Sequence, residues 1–157
     1  MDFGLHQTWM QQAISLAEQA GAAGEIPVGA IVVSARNQVV GIGENRKERD
    51  RDPTAHAEIV AIRAAAKNLK DWHLNGCSLY VTLEPCPMCA GAIIQARVST
   101  LIYGADDPKT GAIRTVTNLP DSPVSFHRLT VIAGICEISC QNLLQTWFQQ
   151  LRNVEQS

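Results

Sequence analysis

Leu5, Trp9, Ala13, Leu16 and Ala20 recur at the steps of a helix with one buried face, which predicts a helix over 5–20, ended by Gly21 and Gly24. Residues 28–33 are an almost unbroken apolar run, too short for a domain helix and rich in β-branched side chains, as in a buried strand. The polar turn Ser34-Ala35-Arg36-Asn37-Gln38 leads to a second strand at 39–43, so the two form a hairpin. Residues 45–52 are polar and charged and predict a loop. Pro53 and Thr54 open a helix that runs to about residue 68, with Ile59, Ile62 and Ala66 along one side. A strand at 79–83, a helix at 87–97 dense in small residues (Ala90, Gly91, Ala92, Ala96) and a strand at 98–103 follow. Residues 104–123 form a long loop, and such length inside a compact domain marks function or disorder. A short strand at 129–132 and a helix at 137–152, with Ile138, Leu144, Phe148 and Leu151 on its inner face, complete the pattern.

Strands thus alternate with helices after an opening hairpin. That order predicts an α/β fold, a three-layer α/β/α sandwich around a mixed sheet, in one domain over 1–157. A hydrophobic share of 46% and a charged share of 18% are ordinary for a soluble domain. No apolar run reaches the roughly 18 residues a membrane span needs. Met1-Asp2-Phe3-Gly4 lacks the basic start and apolar core of a signal peptide, so no membrane and a cytoplasmic location are expected. The net charge of −2 gives no general attraction to nucleic acid, so any such contact is a local surface. Five cysteines, an odd number, fit a reducing compartment, with Cys77, Cys136 and Cys140 as small buried hydrophobes and His6 and His73 on the surface.

Two short pieces carry the chemistry: His56-Ala57-Glu58 and Pro85-Cys86-Pro87-Met88-Cys89. They offer one imidazole and two thiolates to zinc, plus one carboxylate. Three protein ligands leave a tetrahedral zinc one open position, whereas a structural site is normally closed by four. Side chains two apart diverge in mid-helix, so His56 and Glu58 converge only if a helix begins there, with Thr54 as the expected N-cap. Cys86 and Cys89, three apart, share a face, and Pro87 suits a first turn. A helix start also favours thiolate. His-x-Glu followed by Pro-Cys-x-x-Cys is the general signature of zinc deaminases. There the glutamate is not a ligand; it shuttles protons while zinc-bound hydroxide attacks an amino-bearing ring carbon and ammonia leaves. A redox Cys pair more often follows a first strand. A closed zinc site needs a fourth ligand, and His73, His127, Cys136 and Cys140 lack ligand spacing to either piece. A non-catalytic, zinc-stabilised binding module has no use for Glu58.

Longer stretches resemble the bacterial tRNA-specific adenosine deaminases over roughly Trp9 to Arg152. These are Ile26-Pro27-Val28-Gly29-Ala30, Asn45-Arg46, the lead-in from Asp52 to Ile59, the run from Leu79 to Ala92, the loop from Tyr103 to Ala112, and Trp147 to Arg152. The zinc pieces are shared with free-base and nucleoside deaminases and fix the reaction class. The lead-in, the loop and the tail are more selective for tRNA enzymes.

The resemblance implies a cytidine deaminase-like fold with a five-stranded sheet, one Zn2+ per subunit, a homodimer and a tRNA anticodon stem-loop as substrate, its wobble adenosine converted to inosine by attack at C6. By the same resemblance His56, Cys86 and Cys89 hold zinc and Glu58 carries the proton. The backbone N–H groups of Ala57 and Cys86 help hold the base and the attacked centre. Asn45 meets the flipped nucleotide, Ile26, Pro27, Val28 and Leu83 line the base pocket, and Asp107 and Lys109 meet flanking nucleotides. Phe148 stacks a flanking base, and His127, Arg128 and Arg152 extend the surface. A loop base is already single-stranded, so extruding it costs less than opening a duplex. The chain departs from the family at Phe126, where Asn is common, at Trp147, often Phe, and at Asp106, often Arg or Lys. The competing expectation is a free guanine or cytosine deaminase with the same zinc site.

Overall fold

The computed structural model describes residues 2–157, so the reading of the first residues as unlike a signal peptide rests partly on Met1, outside the described part. Helix α1 spans Phe3–Ala22, with Asp2 as N-cap accepting from Leu5 N (3.1 Å). Its buried line is Met10, Ala13, Ile14, Ala17 and Ala20. Gly21 does not end it as expected. The helix runs on to Ala22, with Pro27 and Trp147 packed on the bare side of that glycine, and Gly24, at φ +87°, makes the turn, with Glu25 N donating to Ala20 O (3.0 Å).

Strands β1 (Gly29–Val33) and β2 (Val39–Glu44) form the expected antiparallel hairpin. Strand β3 (Ser78–Leu83) pairs antiparallel with β1, and β4 (Thr100–Ala105) and β5 (Thr130–Ala133) continue in parallel. The order β2-β1-β3-β4-β5 makes the mixed five-stranded sheet. Strand periodicity divides its side chains into two cores. Ala30, Val32, Leu79, Val81, Leu101 and Tyr103 pack with α2 (Ala57–Leu69) and α3 (Pro87–Gln95). Ile31, Val33, Tyr80 and Ile102 pack with α1 and α4 (Glu137–Glu155). The result is the predicted three-layer α/β/α sandwich. Among the described residues no helix is long and apolar enough to cross a membrane.

Helix α2 lies close on the sheet: its buried Ala57, Ala61 and Ala65 face Gly41 and Gly43, where an added Cβ would collide with the backbone of Ala61 and of Ala57. Ile59, Ile62 and Ala66 are only half-buried beside that line. The helix starts later than Pro53 and Thr54 suggested. Asp52 Oδ1 captures Thr54 N (2.8 Å) and Thr54 Oγ1 (2.7 Å), which folds 52–55 into a turn and leaves His56 as the N-cap. Helix α3 stops at Gln95, since Arg97 turns left-handed (φ 60°). On α4 the expected inner face is corrected: Ile138 (67%), Phe148 (39%) and Leu151 (39%) are exposed. The helix seats Cys140 on Gly104 of β4, with Leu143, Leu144 and Trp147 half-buried around it. The predicted long loop is also shorter, because β4 takes residues 104 and 105, and a 3-10 turn forms at Leu119–Asp121. His6 is half-buried, and its Nδ1 bonds the Tyr80 hydroxyl (2.8 Å).

Candidate active site

Strand β3 and the loops after β2 and β3 bring two helix starts together. His56 caps α2 and Cys86 caps α3, both with extended backbone and neither side chain spent on capping. Both side chains are therefore free to point at one another. His56 Nδ1 lies 3.6 Å from Cys86 Sγ and 3.4 Å from Cys89 Sγ, and the three donor atoms fall within 4.8 Å of one another. A tetrahedral zinc bonded to nitrogen at ~2.05 Å and sulfur at ~2.3 Å sets that N···S separation at about 3.6 Å. The donor set fits zinc in both spacing and softness. Among the described residues this is the one His/Cys/Asp/Glu group so disposed, and His73, His127, Cys136 and Cys140 lie outside it.

The donors share protons unevenly. A hydrogen bond from Cys89 is the main force that pushes the Cys86 thiol down to about 4, helped by His56 and opposed by burial. Cys89, bonded to Cys86 and buried, is driven up. His56 is raised first by its bond to Cys86. A dication binding there displaces these protons, because each ligand must be deprotonated.

Glu58 lies one residue into α2 beyond Ala57 and is 4% exposed. Burial lifts its carboxyl to about 7, against its own backbone N–H and the His56 charge. A carboxyl near 7 both accepts and returns a proton at neutral pH.

His56, Glu58 and Cys86 line a cavity of about 150 Å³, together with Ile26, Val28, Asn45, Leu83 and Asp107 as expected, and with Lys47, Glu84 and Thr110, which the sequence did not single out. An adjoining cavity of about 750 Å³ shares Ile26, Leu83, Asp107 and Thr110 and adds Lys109, Phe148 and Arg152, with Gln145 unanticipated. Two expected contacts face elsewhere. Pro27 is buried against Gly21 of α1 and lines neither cavity. Ala57 is fully buried and its N–H donates to Asn45 Oδ1 (3.0 Å), so that amide is not presented to a base. Asn45 is itself fixed by Nδ2 donating to Ile26 O (2.9 Å). Asp107 turns its carboxylate into its own turn, accepting from Lys109 N (2.9 Å), Thr110 N (3.3 Å) and Thr110 Oγ1 (3.0 Å). His127 lies apart, its Nε2 bonded to Val98 O (2.6 Å), and Arg128 borders a separate groove. The departure at Asp106 is compensated: Arg114 pairs with its carboxylate (3.2 Å).

Comparison with known proteins identifies the family. The MafB19-like deaminase family matches residues 5–152. A tRNA-specific adenosine deaminase of Haemophilus influenzae is 46% identical over 143 residues, covering 91% of this chain and 83% of that protein. A structure from studies of A-to-I editing by tRNA:A34 deaminases at the wobble position of transfer RNA superposes with a TM-score of 0.85 at 41% identity, over 87% of this chain and 99% of that one. A guanine deaminase from Nitrosomonas europaea shares the fold more distantly, with a TM-score of 0.76 at 27% identity over 90% of this chain and 83% of its own. A buried carboxylate beside a three-donor cradle, on this fold and with these relatives, places the chain: it belongs to the MafB19-like deaminases and, among them, to the tRNA-specific adenosine deaminase family.

Proposed function

We propose that this protein hydrolyses the 6-amino group of adenosine at the wobble position of a tRNA anticodon, giving inosine and ammonia. The observation that carries the chemistry is Glu58, buried with a carboxyl near 7, in the cavity that His56 and Cys86 also line. His56, Cys86 and Cys89 would hold zinc, which supplies a Lewis acid that brings the pKa of water from about 15.7 to roughly 7. Glu58 takes one proton from the attacking water at its carboxylate oxygen and delivers it to the purine ring nitrogen beside C6; it then takes the second proton from the hydroxyl added at C6 and passes it to the departing amine. One water enters and one ammonia leaves, and Glu58 ends as it began. Ile26, Val28 and Leu83 provide the apolar wall that excludes bulk water from the base.

The neighbouring cavity supports RNA over a free base. A nucleobase alone needs only the small pocket, whereas Lys109 and Arg152 offer cations for phosphates and Phe148, 39% exposed, offers a ring for a flanking base. The remaining parts of the proposal are one zinc per subunit, one domain over 1–157, assembly as a homodimer and action in the cytoplasm.

The test is direct. Purified protein, incubated with an anticodon stem-loop carrying a wobble adenosine, should yield inosine, and Glu58→Ala should retain zinc by elemental analysis while losing at least about 100-fold in rate. Ammonia from free guanine or cytosine, with no inosine in RNA, would establish the free-base reading instead. Retained turnover in Glu58→Ala would remove Glu58 from the chemistry.

A further inference from the structure

Glu84 is 2% exposed, and no step above uses it. Its two oxygens accept from the backbone N–H groups of Asp107 (3.0 Å), Ile113 (3.1 Å), Arg114 (2.9 Å) and Thr115 (3.0 Å), and from the Thr115 hydroxyl. Its own N–H donates to Ala105 O (2.8 Å), and Ala112 N donates to Pro85 O (2.9 Å). Gly111 has no side chain where one would strike the carboxylate. Residues 106–115 therefore wrap around a side chain whose backbone immediately precedes Pro85 and Cys86.

The wrapped segment contains no helix or strand of its own. Other contacts also hold it: Ala112 and Ile113 are buried in the core, Ala112 N reaches Pro85 O, and the Tyr103 hydroxyl donates to Asp106 (3.0 Å). The Asp107 turn is local. The Asp106–Arg114 pair closes the mouth, but its side chains are 36% and 54% exposed, and surface pairs of that kind contribute little. Five donors on one buried carboxylate outweigh it, since bonds to a charged acceptor are the stronger class and a buried donor left unmet is costly.

We infer that Glu84 is a positioning residue that holds the Asp107–Thr110 turn at a set distance from the cradle begun by Cys86. The inference rests on the proposed activity and names how the two halves of that site are kept in register. One half binds and reacts at the base; the other meets the flanking nucleotides. A turn that drifts from the cradle weakens substrate binding before it alters the chemistry.

Glu84→Gln tests this, because its amide turns an NH2 group toward backbone N–H donors. The full chain is first checked for zinc content and for a cooperative unfolding transition. The expected result is unchanged zinc, amide hydrogen exchange at least about tenfold faster at 107 and 113–115, and KM for the anticodon stem-loop raised at least about tenfold with a smaller fall in kcat. Thr115→Val, which removes only the hydroxyl donor, should move the same quantities in the same direction by about two- to threefold. Unchanged exchange in that segment overturns the inference. So does a fall in kcat with KM unmoved, or zinc lost together with all activity. If Glu84→Gln does not fold, Thr115→Val decides, and no change in exchange or KM there is likewise fatal. If the unaltered protein makes no inosine in RNA, the proposed function fails, while the exchange measurement still judges the tether.

Discussion

Asn45 spends both ends of its amide on backbone, accepting from Ala57 N and donating to Ile26 O. It thus caps the buried start of α2 from a different loop and ties the cavity wall at Ile26 to the helix that carries Glu58. Asn45→Ala leaves a buried N–H without an acceptor, at a cost of about 1–3 kcal/mol, or a fall of roughly 2–12 °C in the unfolding midpoint for a chain of this size. Asn45→Asp keeps the acceptor at the positive end of the helix but sets a buried carboxylate oxygen against Ile26 O, so it should not restore the midpoint of the unaltered protein in a thermal melt. Equal midpoints for Asn45 and Asn45→Ala would show that the cap carries no weight. The sequence marked Asn45 through family resemblance as a nucleotide contact; its capping role was illegible because Ala57 and Ile26 are brought to it by the fold.

At the scale of the element, α2 is positioned by what β2 lacks. Gly43 faces Ala57 and Gly41 faces Ala61, one turn farther from the site. Adding a methyl group at either position should push the helix off the sheet and cost about 1–3 kcal/mol or more. Gly43→Ala moves the turn that holds His56 and Glu58, so its kcat should fall by at least about tenfold more than that of Gly41→Ala at similar stability. Equal losses of kcat in the two variants would show that the site does not feel which turn is displaced. Much of this level was legible. The hairpin, the alternation of strands and helices, and the convergence of the His56 and Cys86 helix starts follow from local periodicity and ligand spacing. The start of α2 was misplaced because Asp52 takes both Thr54 donors, a competition between side chain and helix that spacing does not reveal. The inner face of α4 was misread because apolar residues lie on both arcs of the helix, and only the bare Gly104 of β4 decides that Cys140 is the one buried. The wrap around Glu84 was invisible for a simpler reason: its donors lie 23 to 31 residues downstream.

At the scale of the whole molecule, stability depends on carboxylates kept ionised inside. Burial works to raise the Glu25 carboxyl, but hydrogen bonds from Arg49 N and Glu48 N and the Arg49 guanidinium more than offset it, and the net shift is downward. A depressed carboxyl contributes stability that is fully present above its unfolded value of about 4.3 and is lost as pH falls through the folded one. Denaturation of the protein between pH 7 and pH 3 should therefore show stability falling below about pH 5, and Glu25→Gln should be weaker at pH 7 but flatter across that window. Parallel curves for the two would exclude Glu25 as a source of the acid limb. The cradle has a further consequence, in time. Its three donors and Glu58 all lie between residues 56 and 89, while β4, β5 and α4 follow. At about 5–20 residues per second, ribosomes need roughly 3–14 s to make residues 90–157. For those seconds the nascent chain has both thiols and the imidazole already synthesised and two of its five strands still unmade, so the donor groups exist before the sheet that fixes them is complete.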